Sequence, residues 1–179
     1  MNFLLKLSAL IDRVNVLIGQ AAAWLMLLAV LISAGNAFIR YGFSRSSNAW
    51  LEIQWYLFAA MVMLGAAYTL KMNEHVRVDA FYGRYSERTR LWVDLLGTLF
   101  FLLPMTVIIG WLGWPALAGA FASGETSGNA GGLVKWPALL MIPLGFLLLT
   151  LQGVSEVIKR AAALTGRTKI DAAYEKPLQ

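Results

Sequence analysis

Apolar residues fall into four long blocks, each bounded by charge and none carrying charge inside. Nothing is charged between Arg13 and Arg40, between Glu52 and Lys71, between Asp94 and Glu125, or between Lys135 and Glu156. The blocks read as spans over about 16–39, 53–70, 95–117 and 136–155. An apolar helix needs about 20 residues to cross hydrocarbon, and each block comes near that length. An unpaired backbone amide costs several kcal/mol in that medium, so the pattern predicts α-helices.

The flanks of the blocks carry their own signals. Leu4, Leu7, Ile11 and Val14 recur at helical spacing beside Lys6 and Arg13. This predicts an amphipathic helix over residues 1–15 lying in the membrane interface. Ser46, Ser47 and Asn48 offer capping side chains at the entry to the second span. Residues 156–179 are expected to form a polar tail. Pro104 and Pro143 fall inside spans and each removes a backbone donor, which predicts kinks, while Pro115 is expected to end or tilt the third span. The fold class is therefore all-α, an integral membrane protein with four transmembrane helices and interfacial amphipathic helices.

Composition strengthens this reading and removes others. The chain is 59% hydrophobic and 14% charged, against roughly 25% charged for a soluble domain. With no cysteine and one histidine, disulfides, thiolate metal sites, cysteine nucleophiles, bis-histidine haem and H-E-x-x-H zinc are excluded. No enzyme activity, cofactor or metal site is expected. The net charge of +5 would suggest nucleic acid if the charges were clustered on a soluble face. Instead twelve of the fifteen basic residues lie in the N-terminal segment (Lys6, Arg13), the second loop (Lys71, Arg77, Arg84, Arg88, Arg90) and the tail (Lys159, Arg160, Arg167, Lys169, Lys176). Cytoplasmic segments carry the Lys/Arg excess, so both termini and the second loop are expected inside. The basic runs then read as topology signals that touch membrane lipids, not nucleic acid.

Candidate chemistry is sparse. An autonomous ion-coupled transporter keeps ionisable residues within the bilayer, and these blocks hold only weaker polar groups such as Gln20, Gln152 and Ser155. Ser33, Asn36 and Arg40, at i, i+3 and i+7, share one helical face at the outer end of the first span. Glu52 and Gln54 mark the outer boundary of the second, so Arg40 and Glu52 are expected to pair with each other or with a partner. Trp50 and Trp136 belong to an outer aromatic belt. The Gly-rich turn over residues 123–132, with Glu125 and Lys135, is expected to meet an external protein. In the second loop, His75, Arg77 and Asp79 read as structural charge pairing. One alternative outside transport stays open on these residues, a structural or assembly membrane protein.

Three runs carry a resemblance. They are Asn36-Ala37-Phe38-Ile39-Arg40-Tyr41, Trp50-Leu51-Glu52, and Gly65-Ala66-Ala67-Tyr68-Thr69-Leu70 leading to Glu74-His75-Val76-Arg77-Val78-Asp79. In this order, with four spans, the chain resembles the small membrane subunit of TRAP transporters (tripartite ATP-independent periplasmic transporters, DctQ type). It departs from the family at Gln54, where a second acidic residue is common, and at Asn73, where glycine is common. The resemblance implies a bacterial inner-membrane subunit acting as scaffold for a large membrane subunit. That partner would hold the sodium sites and the substrate path, and a periplasmic binding protein would deliver an organic acid.

Overall fold

The structure is a computed structural model and describes residues 2–45, 47–74, 82 and 84–168. Each charge-free block is helical, and each helix outruns its block. The helices are α1 (Asn2–Phe43), α2 (Asn48–Met72), α3 (Glu87–Ser123) and α4 (Trp136–Leu164). Among the described residues these four are long and apolar enough to cross a membrane, and no strand accompanies them. Residues 2–15 are not set off from the first span. They form the opening turns of α1, with no break before Phe43.

The helices run up and down, so the end of α1, the start of α2 and residues 124–135 share one end, and the start of α1 and the end of α4 share the other. α4 lies at the centre, touching α1, α2 and α3, while α1 and α2 pack on each other and α3 packs principally on α4. Small residues permit the close approaches, as is usual where helices pack in lipid. A Cβ at Gly145 would lie 2.8 Å from the Met63 side chain and equally near its carbonyl oxygen. A Cβ at Gly153 would lie 2.8 Å from Leu103. Between α1 and α2, Gly19 makes room for Tyr68.

The prolines are absorbed in different ways. Ahead of Pro104, α3 widens into a π-turn over Thr98–Leu102, in which the Leu103 N–H reaches back to Thr98. The turn changes the hydrogen-bond register where the proline lacks its donor. Just beyond, Thr150 donates to Thr106 across the α3–α4 contact at 2.8 Å. Pro115 does not end α3, which continues to Ser123 and stops at left-handed Gly124. α2 stops at Asn73 (φ 60°), whose N–H bonds the Leu70 carbonyl at 3.1 Å. Glycine and asparagine are the residues that tolerate this left-handed cap.

The interior is more polar than the exterior. Ser8, Asn15, Glu52, Thr106, Gln152, Ser155 and Glu156 are buried, while Trp24, Leu31, Phe38, Phe101, Trp111 and Leu112 are exposed. Such a surface belongs in lipid or against another membrane chain.

Candidate functional site

Two polar constellations stand at opposite ends of the bundle. At the first, residues 124–135 fold into a short strap. Lys135 N donates to the Glu125 carbonyl at 2.9 Å, Ser127 N donates to the Leu133 carbonyl at 2.8 Å, and Thr126 and Val134 form an antiparallel bridge. The strap docks on the first turns of α2. Glu52, only 2% exposed, accepts from Asn129 Nδ2 and from the Leu133 N–H, both at 2.7 Å. Asn48 donates to the Ala130 carbonyl and Tyr56 to the Val134 carbonyl, each at 3.0 Å. Beside this cradle a shallow groove of about 270 Å³ is bounded by Trp55, Tyr56, Lys135 and Leu139. Glu125 and Lys135 pair at 2.5 Å on the exposed side of the strap. That hydrogen bond and the carboxylate charge raise the Lys135 ammonium above the usual lysine range.

The second constellation joins α1, α3 and α4. Gln152 donates one amide to both Asp12 Oδ1 and Glu156 Oε1 at 2.9 Å. Its oxygen accepts from Asn15 Nδ2 at 2.8 Å. Lys159 bridges Asp12 and Glu156 at 3.0 and 2.6 Å. Arg160 continues the chain of charges from Glu156 to Asp94, which also accepts from Tyr82 at 2.9 Å. Ser155 adds a bond to Asp12 and another to Ser8, both at 2.7 Å. Because Gln152 turns its nitrogen to two carboxylates, its oxygen must face Asn15, and Asn15 must present nitrogen. Asn15 Oδ1 is thereby left buried without a partner. The engaged carboxylates and cations leave little capacity for a further ligand. The arrangement fixes three helices in register.

The residues singled out from sequence are distributed unevenly. Glu52, Glu125, Lys135 and Trp136 come together around the strap, where the Trp136 ring meets Phe121 edge-on at 5.6 Å. Gln54 lies one turn on and bonds the Trp50 carbonyl, while the Trp50 ring is half exposed. Ser33 and Arg40 are exposed and Asn36 is buried, so the shared face does not give a shared environment. Arg40 makes no ion pair among the described residues. The Glu52 carboxylate is taken by neutral donors of the strap, and among the described residues it makes no pair with Arg40. Ser47 occupies the cap position of α2, but its hydroxyl makes no capping bond. His75, Arg77 and Asp79 lie outside the described residues.

Sequence reasoning missed the second constellation. Lys159 and Arg160 read as topology signals, yet both are consumed in ion pairs. The signal was present as polar periodicity. Ser8, Asp12 and Asn15 recur at i, i+4 and i+7, as do Gln152, Glu156 and Lys159, so each set occupies one helical face.

The fold and these constellations define a multi-pass α-helical membrane protein whose polar groups largely join its own elements. The chain belongs to the family of tripartite ATP-independent periplasmic transporters, DctQ component, which it matches over residues 29–163. It is thus a small membrane component of a tripartite transporter. Comparison with curated proteins and with solved structures gave no match.

Proposed function

We propose that this chain is the scaffold subunit of a sodium-coupled, binding-protein-dependent importer of an organic acid. In this reading the large membrane subunit carries sodium and the carboxylate substrate, and a periplasmic binding protein supplies that substrate. The observation that carries it, beyond family membership, is the inversion of the bundle. Large apolar side chains on α1, α2 and α3 face outward, offering area to lipid and to a larger membrane chain, while the polar groups inside are engaged with one another. The strap, with Glu125 and Lys135 exposed upon it, is the surface assigned to the binding protein. No cofactor or metal is assigned to this chain.

The reading places the chain in the bacterial inner membrane with both termini cytoplasmic, an orientation supported by the distribution of lysine and arginine. Cysteines introduced at Ser47 and Ser127 then label from the periplasm in intact cells, and one at Ser86 does not. Periplasmic labelling of the Ser86 variant overturns the orientation. Reconstituted alone under a sodium gradient, the chain takes up no organic acid. With the large subunit and binding protein added, uptake appears and this chain co-purifies with the large subunit. Sodium-driven uptake by the chain alone overturns the scaffold assignment.

A further inference from the structure

The opening turns of α1 carry three distinct faces. Ser8, Asp12 and Asn15 turn to α4, where the polar constellation holds them. On the opposite side Leu7, Leu10, Val14 and Leu17 form a continuous stripe at i, i+3, i+7 and i+10, exposed by 37%, 58%, 41% and 60%. Along the edge of that stripe run Lys6 and Arg13, both exposed and seven residues apart. Asp12 is the only acidic residue in α1, and it is held between Ser155, Gln152 and Lys159. The outward charge of this segment is therefore purely basic.

We propose that this segment docks on an anionic lipid surface. Its apolar stripe enters the acyl region, and Lys6 and Arg13 hold lipid phosphates at the edge. An apolar face flanked by a basic edge is the physical signature of a helix at the headgroup–acyl boundary. Both basic side chains are long enough to keep their stems in the apolar layer and their charges at the phosphates. Length points the same way. At 42 residues, α1 measures about 63 Å, roughly twice the ~30 Å of hydrocarbon. Its first turns are not needed to cross the hydrocarbon core, yet they expose a leucine-rich stripe that water does not favour. The polar constellation makes this possible by turning the one carboxylate away from the phosphates.

The inference needs only residence in a bilayer, so it stands or falls separately from the transporter assignment. The chain has no native cysteine, which permits single spin labels at Leu10→Cys and Arg13→Cys. The full chain is reconstituted in phosphatidylcholine vesicles, with or without phosphatidylglycerol at about a quarter of the lipid. In anionic vesicles the Leu10 label is reached by oxygen and shielded from a water-soluble nickel complex, and the Arg13 label shows the reverse. Each basic residue near an anionic leaflet is worth about a fivefold change in partition. Lys6→Gln with Arg13→Gln therefore removes most of the difference between the two vesicle types at Leu10. Three results overturn the proposal. One is nickel access at Leu10 in both vesicle types. Another is equal shielding in both, unchanged by the double substitution. The third is shielding at Leu10 that appears only when the large membrane subunit is added, which assigns the stripe to a protein partner.

Discussion

The two ends of the bundle satisfy their carboxylates by different means. At the strap, Glu52 is held by an asparagine amide and a backbone N–H, neutral donors brought by a loop. At the other end, Asp12 and Glu156 are held by Lys159, and Glu156 also by Arg160, cations that arise from α4 itself. The first arrangement pins a loop to a helix and leaves the helix packing independent of it. The second joins three helices, so its loss propagates through the bundle. Adding cations to the neutral donors at one end only separates the stability of the core from the docking of the strap.

Breaking the charged end has the largest expected effect. Glu156→Ala leaves Lys159 with Asp12 and Arg160 with Asp94, so the cost approaches but stays below the about 3–5 kcal/mol of a fully uncompensated buried charge. Thermal unfolding in detergent should show a large fall in midpoint, with Glu156→Gln intermediate. Next comes the hub packing. In Gly145→Ala the new methyl meets the Met63 backbone at 2.8 Å, and overpacking costs about 1–3 kcal/mol. Gly35→Ala, with nothing within 4 Å, should instead stabilise by about 0.5–1 kcal/mol through helix propensity. The pair distinguishes crowding from a general dislike of substitution.

Changes at the strap sharpen the comparison from its weaker side. Glu52→Ala removes the acceptor of Leu133 N–H and Asn129, so the amide of Leu133 should exchange faster with solvent. Protease should cut within residues 124–135, while the unfolding midpoint moves far less than in Glu156→Ala. Arg40→Ala should alter neither, because the strap does not use it. Smallest is Lys135→Ala, which removes an exposed ion pair of the kind that contributes little to stability. Its midpoint should match the parent, and a change in productive docking of the binding protein is the readout that matters there.

The helices were legible because burial in lipid demands long charge-free runs, and those runs are counted directly. Their ends were less legible. α1 continues through residues 2–15 because nothing between Leu4 and Val16 breaks a helix, and α4 continues to Leu164 because its charges are paired. Glu52 was identified as a residue of consequence, but its partner was not. Asn129 and Leu133 lie 77 and 81 positions away, and nothing local announces a loop folding back. The ion pairs of the charged end were missed for a related reason. A lysine that sets topology and a lysine that neutralises two carboxylates look identical until the opposing helix is in place.

The central position of α4 has a consequence for how the protein is made. α4 is the last of the four described helices to leave the ribosome, yet it is the main neighbour of α3 and a neighbour of α1 and α2. A nascent chain that has reached Ser123 holds a packed α1–α2 hairpin and an α3 with nothing to rest on. During that interval Asp12 and Asp94 wait without Lys159 and Arg160. Translation of α4 thus converts a loose set of membrane segments into a bundle in one step. A chain truncated before Glu156 would offer cellular quality control an Asp12 that never received Lys159.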